Sequence, residues 1–405
     1  MHSGKAGIMF DCHAGTTSGA ELTTLHLTLG LHEHASIQVL PKVGASPWIR
    51  FCTEQEVTRL RASMLDGVAQ LDALMRTPDA TPLPATLVRM LGGDLLALPN
   101  PMDRPFARSI GFTGVTNTAC DAATLERGRS HDVLLAGSSW QTDLLRSAGL
   151  DNVVHFAPGF DGRRFRPGAK RNLFPGRFVI FSGGRLDFRK GQDLVIAAVR
   201  EFCKRHPETL LVHAWQHPWP ECIVPFAAGA LVDGLPRYVG GQMLTAPWLA
   251  MNGLPTHSAV DIGMVANGLL PDIVREAHVG LFPSRAEAQP SAAMLECMAS
   301  GVPCIMTRNT GHLDLAREPI GYPLVEQSDV APAHARVRGT DGWGTARVDD
   351  ILAQLEQAYT NTNDARRKGV AAAREVATYG WHRHTAHFTE LLQPILDTTR
   401  VQAAA

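Results

Sequence analysis

The chain has 405 residues, of which 45% are hydrophobic and 19% charged, and its formal net charge at pH 7 is −1. A chain of this length exceeds one ordinary domain, so we expect two domains of roughly 150–200 residues, each with its own core. The balanced charge argues against a nucleic-acid partner, because proteins that bind phosphate backbones are as a rule strongly basic.

Cysteine usage and the N-terminal sequence bear on the cellular compartment. The seven cysteines are scattered and form no CxxC pair, a pattern typical of reduced thiols. The first residues, MHSGKAGIMFDC, lack the long apolar region of a signal peptide. No run approaches the roughly 18–20 apolar residues of a membrane span. We therefore expect a cytoplasmic protein.

The first part of the chain alternates predicted strands with predicted helices. A short strand at 6–11 is followed by a loop that contains Gly15 and Gly19, and then by an amphipathic helix. Such a loop lets backbone N–H groups approach an anion, although an ordinary tight turn explains it equally well. Further elements are predicted as helices at 54–74 and 85–91, strands at 132–137 and 152–156, and a helix that begins at Ser138. This alternation predicts a doubly wound α/β domain.

Residues 163–177 form a basic segment punctuated by glycine and proline. This composition is typical of an interdomain linker, which is the interpretation we favour. The alternative is that its cations attract an anionic substrate or the headgroups of membrane lipids, so a peripheral membrane contact stays open.

A second α/β unit begins with a buried strand at 178–182, followed by the turn GGRLDFRKG and an amphipathic helix at 192–203. Arg185 and Lys190 lie where the strand ends, which is where open parallel sheets bind their ligands. Arginine offers a planar fork and lysine a compact point charge, and both suit a phosphate. We therefore predict a phosphate site here, the alternative being two ordinary surface charges.

Two acidic residues stand out in a later βαβ unit, predicted as a strand at 278–282, a helix at 291–300 and a strand at 302–306. Glu287 lies in the loop that leaves the first strand, and Glu296 lies in a helix whose other positions are nearly all small or apolar. A carboxylate in this place can accept hydrogen bonds from a vicinal diol. The alternative is that Glu296 faces solvent.

These stretches together resemble the retaining, nucleotide-sugar-dependent glycosyltransferase family 4, which has the GT-B fold. The turn at 184–191 matches the family's Gly-Arg-Leu-x-x-x-Lys-Gly element, and the glutamates match its two-glutamate signature. The commoner spacing has seven residues between the glutamates, whereas this chain has eight between Glu287 and Glu296. A branch of the family is similar to this longer form and carries a similar Asn-Thr-Gly-His-Leu-Asp run, here Asn309 to Asp314.

The resemblance implies an α/β chain of two Rossmann-like doubly wound domains with a donor cleft between them. The N-terminal, acceptor-side domain is expected at 1–167 and the nucleotide-sugar-binding domain at 168–376. A helical segment at 377–405 is expected to cross back onto the first domain.

The resemblance also implies roles for individual residues. Arg185 and Lys190 would hold the donor diphosphate, Glu296 the ribose, and Glu287 the sugar or the loop around it. We count Arg185, Lys190 and Glu287 as candidate catalytic residues. The other residues of the predicted donor site are Gly15, Gly19, Gly184 and Ser291, and the loop of Val265, Ala266 and Asn267 is a candidate cover for the base.

We therefore predict a retaining hexosyltransferase that moves a sugar from a nucleoside diphosphate sugar to a hydroxyl of a glycan or protein. UDP is favoured over GDP on the frequency of donors in the family. No cofactor or metal is expected, because the sequence has neither a DxD pair nor an HExxH motif. Two alternatives stay open: a phosphorylase-like or epimerase-like enzyme of the same fold, and a non-catalytic protein that binds sugar nucleotides.

Overall fold

The computed structural model describes residues 6–12, 18–34, 36–40, 53–76, 81–97, 104–217, 220–332 and 337–404. Within these residues, two six-stranded sheets follow one another along the chain, and all strands in both sheets pair in parallel. Parallel pairing requires a crossover between successive strands, which the helices provide.

The first sheet has the strand order β2-β1-β3-β4-β5-β6. Residues on its two faces enter different cores: Ile8 and Val88 belong to one core, and Met9 and Leu87 belong to the other. The elements are β1 (Ala6–Phe10), α1 (Gly19–His32), β2 (Ile37–Leu40), α2 (Glu54–Met75), β3 (Leu83–Leu91), β4 (Phe106–Thr113), α3 (Ala122–Arg129), β5 (Val133–Ala136), α4 (Ser139–Ser147) and β6 (Val153–His155).

The prediction of a short helix at 85–91 is wrong, because this segment belongs to the central strand β3. It pairs with β1 on one side and β4 on the other, with Val88 opposite Phe10 and Ile110. A strand covered on both faces is a nearly continuous apolar run, which periodicity alone does not distinguish from a buried helix. Residues 85–91 form a strand because they pair with β1 and β4, which are distant in the sequence.

The second sheet has the order β11-β8-β7-β12-β13-β14. The parallel pairing of β12 with β13 confirms the predicted βαβ unit. The elements are β7 (Phe178–Gly183), α5 (Gln192–Arg205), β8 (Thr209–Ala214), β9 (Arg237–Val239), β10 (Gln242–Leu244), α6 (Thr245–Met251), β11 (Ala259–Asp261), α7 (Leu270–Val274), β12 (Val279–Phe282), α8 (Ala292–Ala299), β13 (Cys304–Thr307), β14 (Tyr322–Leu324), β15 (Gln327–Ser328), β16 (Thr345–Ala346), α9 (Val348–Thr360) and α10 (Thr362–Val376).

Alternate residues of the second sheet enter cores on opposite faces. Ile180 and Leu211 pack with residues of α5 and α9, whereas Phe181 and Val212 pack with residues of α8 and α10. Each fully buried aliphatic or aromatic side chain of this kind stabilises the fold by about 1.5–3 kcal/mol. The sheet is therefore a firm base for the loops at its carboxyl edge.

The last helix, α11 (Trp381–Ala404), lies against the first sheet although it follows the second one in the chain. Its residues Phe388 and Leu392 are completely buried in the same core as Ile8 and Ile110. The domain limits at residues 167 and 376 stay predictions. In the described part of the chain, no helix combines the length and apolar character that crossing a membrane requires.

Candidate active site

A cavity of about 560 Å³ lies between the carboxyl edges of the two sheets. The first half of the chain lines it with the segments that follow β1, β3, β4 and β6, and the second half with those that follow β7, β8, β11 and β12. Ligands of open parallel sheets bind at this edge. The topology thus brings eight strand ends to one cleft.

The turn after β7 presents Arg185 and Lys190 to the cleft. Gly184 has φ +110°, a backbone conformation that favours glycine, and a Cβ there would lie 3.2 Å from Lys190 Cδ. The buried side chain of Gln192 stabilises the turn by donating a hydrogen bond of 2.9 Å to the Arg185 carbonyl. Arg185 is exposed, and both cations border the cavity.

Gly191 brings this turn against the end of β12. It has φ +70°, and a Cβ at this position would lie 2.2 Å from the carbonyl oxygen of Pro283. Only glycine allows so close an approach of two backbones. The two stretches that suggested the family resemblance are therefore in direct contact.

Glu287 lies in the loop after β12 and is 4% exposed. Its Oε2 accepts a hydrogen bond of 2.5 Å from Arg189 Nη1, and its Oε1 accepts bonds of 2.8 Å from Lys190 Nζ and 2.9 Å from Ser284 Oγ. Burial alone would raise the pKa of Glu287, but the charges of Arg189 and Lys190 outweigh burial and hold that pKa well below its usual range. Glu287 is thus a buried, ionised carboxylate.

A second buried ion pair anchors the Glu287 loop to helix α5. Arg285 and Asp193 form a bidentate pair, with 2.8 Å between Nη1 and Oδ1 and 2.6 Å between Nη2 and Oδ2. Arg285 is 4% exposed and Asp193 1%. Two parallel hydrogen bonds between a guanidinium and a carboxylate are strong and directional, so this pair fixes the position of the loop relative to α5.

The run from Asn309 to Asp314 frames the same loop from the other side. The hydroxyl of Thr310 accepts a hydrogen bond of 2.8 Å from the Glu287 N–H, and the Gly311 N–H donates one of 2.8 Å to the Glu287 carbonyl. Asn309 donates to the carbonyl of Ser284 at 3.0 Å. The backbone of Glu287 and of Ser284 before it is therefore held by the run that begins at Asn309.

Glu296 lies on α8 and borders the cavity, with 6% of its surface exposed. The alternative in which this residue faces solvent is therefore wrong. Its Oε1 accepts a hydrogen bond of 2.6 Å from Asn267 Nδ2. Burial raises the pKa of Glu296 to about 8, and the nearby charge of Asp161 acts in the same direction, although the Asn267 hydrogen bond opposes it.

The N-terminus of α8 opens into the same cleft. Ser291 is the N-cap residue, and Ser291, Ala292 and Ala293 line the cavity. The first N–H groups of a helix have no partner within it and carry partial positive charge. Together with Arg185 and Lys190 they place positive charge along this wall of the cleft, an arrangement that suits an anion.

The structure brings most of the predicted site residues together. Gly184, Arg185, Lys190, Glu287, Ser291 and Glu296 border the cavity from the second half of the chain, and Gly19, the first residue of α1, borders it from the first half. Gly15 lies outside the described residues. Of the candidate cover for the base, Val265 and Asn267 both line the cavity, and Asn267 also contacts Glu296.

Arg189 is a site residue that the sequence analysis missed. It borders the cavity and pairs with Glu287, yet it stands in the turn directly before Lys190. A turn has no periodicity from which the direction of a side chain could be read. The only available signal was the second cation next to Lys190.

We compared the sequence and the structure with those of known proteins. No protein-family model matches the chain. An alignment over 193 residues, which covers 45% of the chain, is 31% identical to mannosylfructose-phosphate synthase of Agrobacterium fabrum. The match spans 39% of that relative's length, so the chain covers well under two thirds of it.

Several solved structures match nearly the whole chain. Sucrose-phosphate synthase from Thermosynechococcus elongatus has a TM-score of 0.63 at 13% identity, covering 97% of this chain and 100% of its own. Anabaena HepE in complex with UDP and glucose has a TM-score of 0.62 at 12% identity, covering 96% and 100%. A glycosyltransferase from Rickettsia africae has a TM-score of 0.63 at 13% identity, covering 97% and 99%. Identities this low establish the fold alone, and the chain has the GT-B fold that the sequence predicted.

Proposed function

We propose that this protein is a glycosyltransferase that transfers a sugar from a nucleoside diphosphate sugar to a hydroxyl acceptor. One observation carries the proposal: the cations Arg185 and Lys190, the N-terminus of α8 and the buried carboxyl group of Glu296 converge on one wall of the cleft. A diphosphate needs the first three, and the diol of a ribose suits the last.

The chemistry follows from where charge develops. As the bond to the sugar breaks, negative charge grows on the leaving diphosphate, and preorganised cations and helix N–H groups stabilise it. Arg185 and Lys190 lie on the turn after β7, and the α8 N-terminus lies beside them at the end of β12. These groups supply the charge stabilisation that a metal ion provides in other transferases, so we propose a metal-independent reaction.

The assignment to family 4 and the retaining course are also proposals. They are supported by the resemblance of the stretches at 184–191 and 287–314 to that family. In this mechanism the leaving phosphate deprotonates the acceptor on the same face of the sugar. Glu287 would then contact the transferred sugar or hold the loop around it, and no enzyme nucleophile is needed.

UDP is the donor nucleotide that we propose, and a hexose the transferred sugar. HepE, which has the same fold, was crystallised with UDP and with UDP-glucose. The matched stretch of mannosylfructose-phosphate synthase adds a sugar phosphate to the acceptors worth testing, beside the neutral glycans and proteins expected from the family.

A nucleotide-binding screen tests the proposal. We expect one of UDP, GDP and ADP to stabilise the folded protein by roughly 2–4 kcal/mol at saturation in a thermal-unfolding assay. Arg185→Ala should lose this shift, because its side chain borders the cavity. The matched control is Arg205→Ala, which should keep the shift. Arg205 is the last residue of α5 and pairs with Glu356. No shift with any nucleotide would overturn the proposal.

A further inference from the structure

Two cations share one carboxylate at the edge of the cleft. Arg189 contacts Oε2 of Glu287 at 2.5 Å, and Lys190 contacts Oε1 at 2.8 Å. Glu287 is 4% exposed, so neither contact is a loose surface pair. The cations are neighbours in the chain, but the structure ties them down differently.

Arg189 is bound to the Glu287 loop at several points. Besides its contact with Glu287, its Nη1 donates a hydrogen bond of 2.7 Å to the Ala286 carbonyl. Its own carbonyl accepts bonds of 2.7 Å from the Arg285 N–H and 3.3 Å from the Ala286 N–H. Asp187 lies 3.7 Å from its guanidinium. Moving the Arg189 side chain away from Glu287 would also break its hydrogen bond to the Ala286 carbonyl, while the main-chain bonds keep its backbone beside the Glu287 loop.

Lys190 is held by less. The Glu287 carboxylate is the one side-chain partner of its ammonium group among the described residues. Its stem lies beside Gly184, where an added Cβ would come within 3.2 Å of Lys190 Cδ. The ammonium stands on a flexible stem and can turn toward an anion in the cleft. A diphosphate there would compete with Glu287 for Lys190.

Resting on the proposed function, we propose that Arg189 is a positioning residue: it keeps Glu287 paired and ionised when Lys190 turns from Glu287 to the donor diphosphate. Without Arg189, the release of Lys190 would leave a buried carboxylate without a cation, which is strongly unfavourable. Glu287 would then either retain Lys190 or take up a proton. Because Arg189 stays beside Glu287, Lys190 can move to the diphosphate without leaving Glu287 unpaired.

Other groups near Glu287 do not replace Arg189. Ser284 and Thr310 are neutral, and each already bonds to Glu287 through a hydroxyl. His312 is completely buried, and burial lowers its pKa to about 4 despite the opposing charge of Glu287, so it is neutral near pH 7. Arg189 is thus the one cation, among the described residues around Glu287, that remains if Lys190 leaves.

The test is a double-mutant cycle read by calorimetry, with UDP as the probe. The proteins are the wild type, Arg189→Gln, Glu287→Gln and the double variant, with Arg205→Gln as the control. Titrations at pH 6 in buffers of different ionisation enthalpy give the affinity and the number of protons taken up per UDP. Thermal unfolding without UDP checks that each variant folds, and Arg189→Lys keeps the charge if Arg189→Gln does not fold.

We expect Arg189→Gln to weaken UDP binding by about tenfold or more and to add proton uptake relative to the wild type, whereas Arg189→Lys restores most of the affinity. With Glu287→Gln already present, Arg189→Gln should change the affinity less than about twofold and add no proton uptake. An equal loss of affinity in both backgrounds would overturn the inference, because Arg189 would then contact the diphosphate itself. Unchanged affinity and proton uptake in Arg189→Gln would also overturn it. Failure of the wild type to bind any nucleotide would overturn the proposed function as well.

Discussion

The amide of Asn267 donates a hydrogen bond of 2.6 Å to the carboxyl group of Glu296, and both residues are buried. Asn267 follows β11 in the chain and Glu296 lies on α8, so the bond joins two of the segments that line the cleft. With a pKa of about 8, Glu296 is mostly protonated at pH 7 when the cleft is empty. Its protonation should therefore be linked to ligand binding.

Nucleotide affinity should depend on pH through Glu296. A diol donates two hydrogen bonds and favours the ionised carboxylate, so binding releases a proton as long as the pH lies below about 8. Affinity should rise by up to about tenfold per pH unit toward pH 8 and level off above it. Calorimetric titrations of UDP from pH 6 to pH 9 measure this. Glu296→Gln should flatten that part of the profile, and an unchanged slope in this variant would contradict the assignment of Glu296.

The stability of the unliganded protein should also depend on pH through Glu296. It should fall as the pH rises, whereas the nucleotide affinity should rise. The pKa of Glu296 is raised from 4.5 to about 8 in the folded state, so the folded state binds more protons between these values. This group should lower the free energy of unfolding by about 2–4 kcal/mol as the pH rises from 5 to 8. Urea unfolding at several pH values measures it. Glu296→Gln should abolish this contribution, whereas Glu126→Gln, at an exposed site on α3, should retain it.

The close contact at Gly191 can be separated from its backbone conformation. Gly191→Ala combines a positive φ of +70° with a Cβ placed 2.2 Å from the Pro283 carbonyl. Gly176 has a similar φ of +71° and no atom within 4 Å of the added Cβ. We expect Gly176→Ala to cost about 1–2 kcal/mol and Gly191→Ala at least about 1–3 kcal/mol more, measured by urea unfolding. Equal costs would mean that the turn can move away from β12.

The buried pair of Arg285 and Asp193 should be sensitive to the loss of either partner. Asp193→Asn leaves the buried guanidinium without its counter-charge and should cost about 3–5 kcal/mol in the free energy of unfolding. Arg285→Met alone should cost a similar amount, and the two changes together should cost less than their sum. An additive double variant would show that the pair does not act as a unit.

The two stretches that line the cleft from the second half of the chain could be predicted from the sequence because their signals are local. The turn at 184–191 lies between a short apolar strand and a helix. Glu287 follows a second such strand, Glu296 lies in the helix after it, and the structure places these residues in one cleft. The strand at 83–91 could not be identified, because its apolar run fits a buried helix equally well and only pairing with β1 and β4 decides.

The side-chain contacts of the site could not be predicted from the sequence, for a different reason. Nothing in the sequence indicates that Arg189 pairs with Glu287, which lies 98 positions further on, or that Asn267 donates a hydrogen bond to Glu296. Such contacts depend on how two loops from different strands meet, and that follows from the sheet order. Burial of Glu296 likewise depends on the packing of α8 against neighbouring segments.

Product analysis tests the central claim most directly. The protein is incubated with the UDP-sugars and with a panel of neutral glycan, peptide and sugar-phosphate acceptors, and UDP and products are followed by mass spectrometry and NMR. We expect UDP release that requires an acceptor, a product with the donor's anomeric configuration, and a rate about 100-fold lower in Lys190→Ala. Absence of acceptor-dependent UDP release from every sugar nucleotide that binds, or sugar 1-phosphate formed only when phosphate is added, would contradict the proposed glycosyltransferase.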